Sequence, residues 1–383
     1  MEKEQKKSIE TNANEEVVIK RPFWLPLIAC LTALSVACFV LTYTSIVSDF
    51  NHEASKGDIV ISEEERILFV IEDGSSTTAI ANKLKEIGLI SNVDFFKILS
   101  KYEGYDGTYK TGSHYLKKGL DMRDIMKVLA GSTETIKVTF PEGFTVKKIA
   151  ARLEANGLCS QEAFLKEVNA CIQDSKFLEE YSFLKGLDFS QRDYALEGYL
   201  FPDTYFFDLS AKPRDIIEMM LDNFNNQYLV SYYTKAESLG FTIDDVIKLA
   251  SIVERECRVS SERRKVAGVF YNRLFKTSNN TLKYLQSCAT LQYIIERDTG
   301  SIKDVLTLED EKIQDVYNTY LYQGLPPGPI CSPGIASIKS VLNLEEHGYY
   351  FFVLDSRTSA GTHLFAKTLE EHNRNQDLLK EEE

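Results

Sequence analysis

A stretch without any charged side chain, PFWLPLIACLTALSVACFVLTYTSIVS at residues 22–48, constrains this chain most strongly. About 20 apolar residues in a helix are enough to span a bilayer. Lys20 and Arg21 precede the stretch and acidic residues follow it, so the positive-inside rule places residues 1–21 in the cytoplasm. A cleaved signal peptide is the alternative, but the stretch is long for one and no small-x-small cleavage site follows it. We therefore predict a single-pass cell-membrane protein whose remaining chain is extracytoplasmic.

The bulk composition narrows the function further. A chain of 383 residues is long enough for two or three domains, and its net charge of −13 argues against nucleic acid as a partner. The five cysteines after the uncharged stretch form no CxxC pair, so they predict neither a disulfide framework nor a zinc site. The five histidines show no metal-ligand spacing. We predict no metal and no cofactor.

An internal repeat organises the middle of the chain. VIEDGSSTTAIANKLKEIGLI (70–90) aligns without a gap with TFPEGFTVKKIAARLEANGLC (139–159), and glycines coincide near both ends of each copy. Each copy reads as strand, turn and helix. Together with the helices between the copies, the pattern is similar to LysM-like modules, which bind glycans containing N-acetylglucosamine.

These features predict an α+β protein with one N-terminal transmembrane helix, small LysM-like α/β modules and a mixed α/β domain of catalytic type. The expected segments follow one another along the chain: cytoplasmic tail 1–21, transmembrane helix 22–48, linker 49–65, LysM-like module 66–135, second repeat-like subdomain 136–190, catalytic domain 191–376 and tail 377–383.

The stretch IKLASIVERECRV combines an apolar helical face with acids at its end. Thr242 and Asp245 form a capping-box pattern that predicts where the helix begins. Glu254 and Glu256 fall on opposite flanks of the apolar face, and periodicity does not choose between them. Partial burial raises the pKa of a carboxyl, as a general acid requires. The alternative is a structural role in ion pairs with nearby arginines, namely Arg255, Arg258 or Arg263.

Two other stretches could bind sugars. In LEGYLFPDTYFF (196–207), aromatic faces suit the C–H faces of a sugar ring, and Glu197 and Asp203 could accept its hydroxyl hydrogens. The alternative is an aromatic core strand that ends in a Pro-Asp turn. In YNTYLYQGLPPGPICSPG (317–334), Asn318 and Thr319 could contact hydroxyls, and the proline-rich loop either shapes a cleft or is a structural turn.

Six strings together resemble one family, the YceG-like endolytic murein transglycosylases, over nearly the whole chain. In chain order they are LEGYLFPDTY, LASIVERE, VAGVFYNRL, LQSCAT, YNTYLYQGLPPGPICSPG and GTHLFAKTLEEHNRN. The resemblance implies that Glu254 is the catalytic acid, while the role of Glu256 stays open. Many relatives carry aspartate where Cys288 stands, so an acid at that position is not required here.

The resemblance also implies the reaction. A single glutamate protonates the glycosidic oxygen between N-acetylmuramic acid and N-acetylglucosamine, and then serves as base for the muramyl C6 hydroxyl, which gives a 1,6-anhydro end. The implied partners are peptidoglycan glycan strands, peptidoglycan synthases and the elongation machinery, with the enzyme ending strand growth. Motif positions predict these substrate-binding residues: Glu197, Tyr199, Asp203, Asn272, Gln286, Ser287, Asn318 and His363.

Two alternatives remain at this stage. The chain could be a membrane-anchored protein that binds wall glycan without cutting it. It could also be a conventional water-using muramidase, in which Glu254 works with Asp203 or Glu256 because ordinary glycosidases need two carboxyls. The two enzymatic readings differ by one water in the product.

Overall fold

The computed structural model describes residues 30–38, 59, 61–228 and 230–380. The chain divides into two compact units, Met1–Val60 and Ile61–Glu383. In the first unit, residues 30–38 form helix α1. The predicted tail 1–21 and the rest of the predicted span lie outside the described residues.

The predicted transmembrane helix requires a correction. Within the described ranges, no helix has both the length and the apolar character needed to cross a bilayer. This finding contradicts the transmembrane part of the predicted fold class and the single-pass membrane localisation that depended on it.

The second unit contains short helices and three pairs of short strands. The strands are β1 Ile67–Ile71, β2 Gly112–Leu116, β3 Thr135–Thr139, β4 Thr204–Asp208, β5 Phe351–Leu354 and β6 His363–Ala366. The helices up to β4 are α2 Thr77–Glu86, α3 Val93–Tyr102, α4 Met122–Ala130, α5 Val146–Ala155, α6 Gln161–Ala170 and α7 Ser175–Glu180. The later helices are α8 Pro213–Gln227, α9 Val230–Ser238, α10 Ile243–Glu256, α11 Arg263–Tyr271, α12 Cys288–Thr299, α13 Ile335–Leu342 and α14 Leu369–Lys380.

All three sheets of the described residues are two-stranded and antiparallel: β1 with β2, β3 with β4, and β5 with β6. Helices and strands follow one another along the chain, but every strand pair of the described residues is antiparallel, which is the α+β class. That part of the predicted fold class is confirmed.

The sequence repeat corresponds to a structural repeat. In the first copy β1, α2 and α3 lead to the closing strand β2, and in the second copy β3, α5 and α6 lead to the closing strand β4. Gly74 and Gly143 occupy equivalent positions in the turns of the two copies. Their φ angles are 71° and 80°, a conformation that glycine adopts at little cost. The second copy carries an extra segment between α6 and β4 that includes the LEGY motif.

The second copy and the later helices share one hydrophobic core, which runs from Val138 to Leu342. Strand β4, in the aromatic stretch, pairs with β3 of the second copy, so hydrogen bonds cross the predicted boundary between residues 190 and 191. Helix α10 packs against α9, α11, α12 and α13. The end of α10 therefore lies where several separate motifs meet, while the exact domain boundaries stay a prediction.

Candidate active site

Helix α10 positions Glu254 at its last turn. The predicted capping box is present, because the Thr242 side chain accepts from the Asp245 N–H and the Asp245 side chain accepts from the Thr242 N–H. The apolar face is buried as far as Val253, and the helix ends at Glu256. Glu254 thus projects from a fixed, buried helix, with 7% of its side-chain surface exposed.

Two donors hold the Glu254 carboxylate. Arg263, at the start of α11, places Nη2 3.0 Å from Glu254 Oε1. The Gly334 backbone N–H, at the N-terminus of α13, donates to Glu254 Oε2 at 3.0 Å. A cation and a helix N-terminus both favour a negative carboxylate.

A second carboxylate, Glu142, lies beside this one. Its Oε2 is 4.0 Å from Nη1 of Arg263, and 47% of its side-chain surface is exposed. Partial burial, and after it the charge of Glu254, raise the pKa of Glu142 above its usual value, while Arg263 opposes the shift. Our sequence analysis missed Glu142. Its signal was the PEG turn of the second repeat copy, aligned with the EDG turn of the first.

The turn that carries Glu142 is tied to the proline-rich loop. Gly143 N–H donates to Ser332 O at 2.9 Å, and Ser332 N–H donates to Phe144 O at 2.8 Å. The Glu142 carboxylate lies directly against Gly334, so a larger residue at position 334 would displace the Glu142 side chain. The repeat turn and the end of the proline-rich loop therefore form two adjoining walls around Glu254.

The proline-rich loop is also tied to α10 and to the LEGY motif. Ile330 N–H donates to Ser251 Oγ at 3.0 Å, one helical turn before Glu254. A Cβ at Gly198 would lie 2.4 Å from Pro329, so the glycine of LEGY permits this close packing. Three motifs that are far apart in the sequence meet here because their backbones approach closely.

Glu256 has a different role from Glu254. Its Oε1 accepts from Ser287 Oγ at 2.5 Å and from Ala289 N–H at 3.1 Å, at the start of α12. It therefore joins α10 to the N-terminus of α12, which favours a negative charge. Two of the nearby arginines pair with carboxylates other than Glu256: Arg255 with Glu296, and Arg263 with Glu254.

Glu197 is buried on the far side of the same repeat turn. Both of its carboxylate oxygens lie 3.1 Å from the Val146 N–H, the first helical residue of α5. Burial raises the pKa of Glu197 to about 8, against the lowering effects of that hydrogen bond and of Arg255. Glu197 also lines a cavity of about 230 Å³ with Tyr293. It anchors the helix that follows the Glu142 turn.

The other predicted substrate-binding residues make contacts within the protein. Tyr199 is buried and donates to Asp244 Oδ1 at 2.6 Å. Asp203 accepts from the Asn223 side chain at 2.9 Å. Each of the remaining five was predicted from a motif position, and the structure gives its partners as follows: Asn272 with the carbonyls of His347 and Tyr349, Gln286 with Thr319 and Arg273, Ser287 with Glu256, Asn318 with the carbonyls of Glu311 and Ile313, and His363 with Glu262.

These contacts separate the predicted residues into groups. Ser287 lies at the end of α10, because its hydroxyl donates to Glu256. Its neighbour Gln286 donates its backbone N–H to Thr319 O. Tyr199 and Asn318 are buried among other protein groups. The substrate-binding assignments stay predictions, and the structure adds Glu142 and Arg263 to the residues around Glu254.

One cluster in the described part of the chain could hold a metal ion: Cys257, Glu262 and His363, whose ligand atoms all lie within 4.8 Å of one another. Each of these groups already has a protein partner. His363 Nδ1 is 2.8 Å from Glu262 Oε2, and Cys257 Sγ donates to Val259 O at 3.3 Å. Burial raises the pKa of Cys257 to about 11, and a metal-binding thiolate would have to overcome that. The cluster is therefore complete as a hydrogen-bonded group.

The spacing of the cysteines in the sequence predicted no disulfide framework. All seven lie in the described residues, and all are free thiols. Cys331 is buried beside Ser251, and its Sγ donates to Ser251 O at 3.4 Å. Cys288 contacts the Tyr320 hydroxyl at 3.4 Å.

Comparison with known proteins gives one consistent family. The model of the YceG-like family matches residues 69–378. An endolytic murein transglycosylase of Bacillus subtilis (strain 168) is 33% identical over 313 residues, which is 79% of this chain and 82% of that protein. One of Streptococcus pneumoniae serotype 2 (strain D39 / NCTC 7466) is 31% identical over 327 residues, 80% of this chain and 57% of that longer protein.

A solved structure agrees with the sequence matches. The crystal structure of a yceG-like protein from Listeria monocytogenes superimposes with a TM-score of 0.54 and 28% sequence identity. The match covers 81% of this chain and 99% of that one. The region that the family model matches, residues 69–378, includes both aligned repeat segments, helix α10 and the proline-rich loop. The chain therefore belongs to the YceG-like family.

Proposed function

We propose that this protein is a lytic transglycosylase that cuts peptidoglycan strands internally, with Glu254 as the group that carries the proton. The activity agrees with the curated relatives, which are named endolytic murein transglycosylases. The observation that supports the residue is the position of Glu254. It is a mostly buried carboxylate between Arg263 and Gly334, at the junction of the family motifs.

The proposed reaction needs no cofactor. The Glu254 carboxyl gives its proton to the glycosidic oxygen as the bond from muramyl C1 to that oxygen breaks. The muramyl C6 oxygen then bonds to C1, and its proton passes to the Glu254 carboxylate, which restores the enzyme. An attacking group within the same sugar has a very high effective concentration, so no second carboxylate and no water are needed. The product is a 1,6-anhydromuramyl end.

A water-using muramidase is the second candidate, and one observation favours keeping it. The second carboxylates predicted for such a muramidase, Asp203 and Glu256, have other partners. Asp203 contacts Asn223, and Glu256 contacts the start of α12. The carboxylate that does share a partner with Glu254 is Glu142. A hydrolase would use Glu142 as the base that activates water.

The finer assignments belong to the same proposal. The β-α-α-β repeat modules would bind glycan as LysM-like modules do. Cutting nascent strands beside the peptidoglycan synthases and elongation machinery would end strand growth. Binding of glycan without cleavage remains the outcome that would exclude an enzyme altogether.

The test is product analysis on isolated glycan strands with the full-length chain and with Glu254→Gln. We expect the wild type to give products lighter by one water than hydrolysis products. Loss of a general acid costs about 10²–10⁴-fold in rate, so Glu254→Gln should fall by at least the lower figure. Hydrated ends would establish the muramidase instead, and a fully active Glu254→Gln would exclude Glu254 as the proton carrier.

A further inference from the structure

Two carboxylates and one arginine form a small charged cluster at the proposed site. Arg263 places Nη2 3.0 Å from Glu254 and Nη1 4.0 Å from Glu142. When both carboxylates are ionised, the three groups carry a net charge of −1. When the pair keeps one proton, the cluster is neutral. A partly buried cluster favours the neutral state because unbalanced charge is costly away from water.

The other titratable groups around Glu254 have partners of their own. Burial raises the pKa of the thiols of Cys257 and Cys331, so neither carries a charge at neutral pH. On α12, Glu296 is paired with Arg255 and Lys148. Glu262, at the N-cap of α11, contacts His363, and Gly334, at the N-cap of α13, donates its N–H to Glu254. Arg263 is the cation that Glu254 and Glu142 share.

We infer that Glu142 is a positioning residue for the proposed reaction, a role that depends on Glu254 as proton carrier: its charge keeps one proton on the carboxylate pair at the pH where the enzyme works. Arg263 and the Gly334 N–H both donate to the Glu254 carboxylate. Glu142 shares the same guanidinium with Glu254. A like charge nearby opposes the ionisation of a carboxylate.

The position of Glu142 fits this role in two further ways. Its turn is fixed against the proline-rich loop by the hydrogen bonds of Gly143 and Phe144 with Ser332, so its distance from Arg263 is constrained. With 47% of its side-chain surface exposed, it can exchange protons with solvent between turnovers. Burial, and after it the charge of Glu254, raise the pKa of Glu142 above its usual value.

The test is the pH dependence of kcat and KM for the full-length chain on isolated glycan strands. The variants are Glu142→Gln, which removes the charge, Glu142→Asp, which keeps it, and Glu142→Ala as a second variant without charge. Glu162→Gln is the matched control, since it removes an exposed carboxylate from the same repeat copy. Glu254→Gln is measured alongside them.

We expect Glu142→Gln and Glu142→Ala to move the alkaline limb of the kcat profile about one pH unit lower, as the loss of a neighbouring like charge does. At a pH on that limb kcat then falls about tenfold, with little change in KM. Glu142→Asp should restore the limb toward the wild type, and Glu162→Gln should match the wild type. If Glu142→Gln does not fold, Glu142→Ala provides the same measurement.

Wild-type pH limbs in Glu142→Gln and Glu142→Ala would overturn the inference. Loss of activity at every pH in all three Glu142 variants would also overturn it, because a positioning residue leaves residual turnover. Full activity of Glu254→Gln would overturn the proposed role of Glu254 and, with it, the role of Glu142. An inactive Glu254→Gln together with wild-type pH limbs in the Glu142 variants would overturn the role of Glu142 alone.

Discussion

The two repeat copies have the same local structure and very different surroundings. Gly74 and Gly143 make the same turn, and Ser76 and Thr145 both cap the helix that follows. Among the described residues, no atom beyond its chain neighbours lies within 4 Å of a Cβ built at Gly74, whereas one at Gly143 would lie 3.9 Å from Glu254 Cγ. Within that part of the chain, the first turn has no close neighbour, and the second forms a wall of the proposed site.

The difference shows how a repeated module can acquire a role. Both turns carry an acid before the glycine, Asp73 and Glu142. Only the second acid meets Arg263, because only the second copy packs against the later helices and the proline-rich loop. The segment inserted before β4 adds Glu197, which holds the start of α5 from behind. Tertiary packing therefore distinguishes two turns that local sequence makes alike.

Replacing Arg263 should have the largest effect, since this residue makes the second copy differ from the first. Arg263→Gln leaves the buried Glu254 without its ion-pair partner, and breaking a buried pair costs about 3 kcal/mol or more. We expect a lower free energy of unfolding, measured by urea denaturation at neutral pH. Arg263→Lys keeps the charge and should recover part of the loss. Equal stability of Arg263→Gln and the wild type would show that the ion pair contributes nothing.

The second feature that distinguishes the copies is the buried Glu197 at the start of α5, and Glu197→Gln tests its effect on stability. The pKa of Glu197 is raised from 4.5 to about 8, so the folded protein binds this proton more tightly than the unfolded chain. The contribution of Glu197 to wild-type stability should therefore be fully present below pH 4.5. It should fall as the pH rises toward 8.

Glu197→Gln lacks this titration, so its stability should depend less on pH. We expect it to gain on the wild type by about 1–3 kcal/mol between pH 5 and pH 9, from the size of the shift discounted for relaxation. Thermal or urea denaturation across that range measures the difference, with Glu162→Gln as control. Parallel stability curves for Glu197→Gln and the wild type would contradict the prediction.

A matched pair of glycine substitutions gives the smallest expected effect and compares the copies directly. Gly74→Ala and Gly143→Ala place alanine at φ of 71° and 80°, which costs each about 1–2 kcal/mol. The loss of stability should be similar in the two variants. Only Gly143→Ala should reduce activity on glycan strands, because the strained turn carries Glu142 and lies within van der Waals range of Glu254. Equal activities would indicate that the second turn is no closer to the reaction than the first.

Short-range features could be predicted from the sequence. The capping box of α10, the strand–turn–helix pattern of both copies and the α+β class all depend on residues close together in the chain, and the structure contains them. The motif strings also predicted the family correctly. The transmembrane prediction, which relied on hydropathy, was wrong: among the described residues, no helix combines the length and the apolar character that a span requires.

Side-chain partners could not be predicted in the same way. Tyr199 and Asn318 have the residue types of a sugar site, yet their polar atoms are used in the buried contacts with Asp244 and with backbone carbonyls. Residue type indicates which hydrogen bonds a group can make, but not whether a neighbour already makes them.

Residue patterns were enough to predict the cap of α10, the glycine turns of the two copies and the family. The partners of the two acids at the end of α10 depend on the folded chain: Glu254 contacts Arg263, which Glu142 shares, while Glu256 contacts the start of α12. This difference follows from separation along the chain. Caps and turns involve residues a few positions apart, whereas the charge balance around a carboxylate depends on groups brought together from distant parts of the chain.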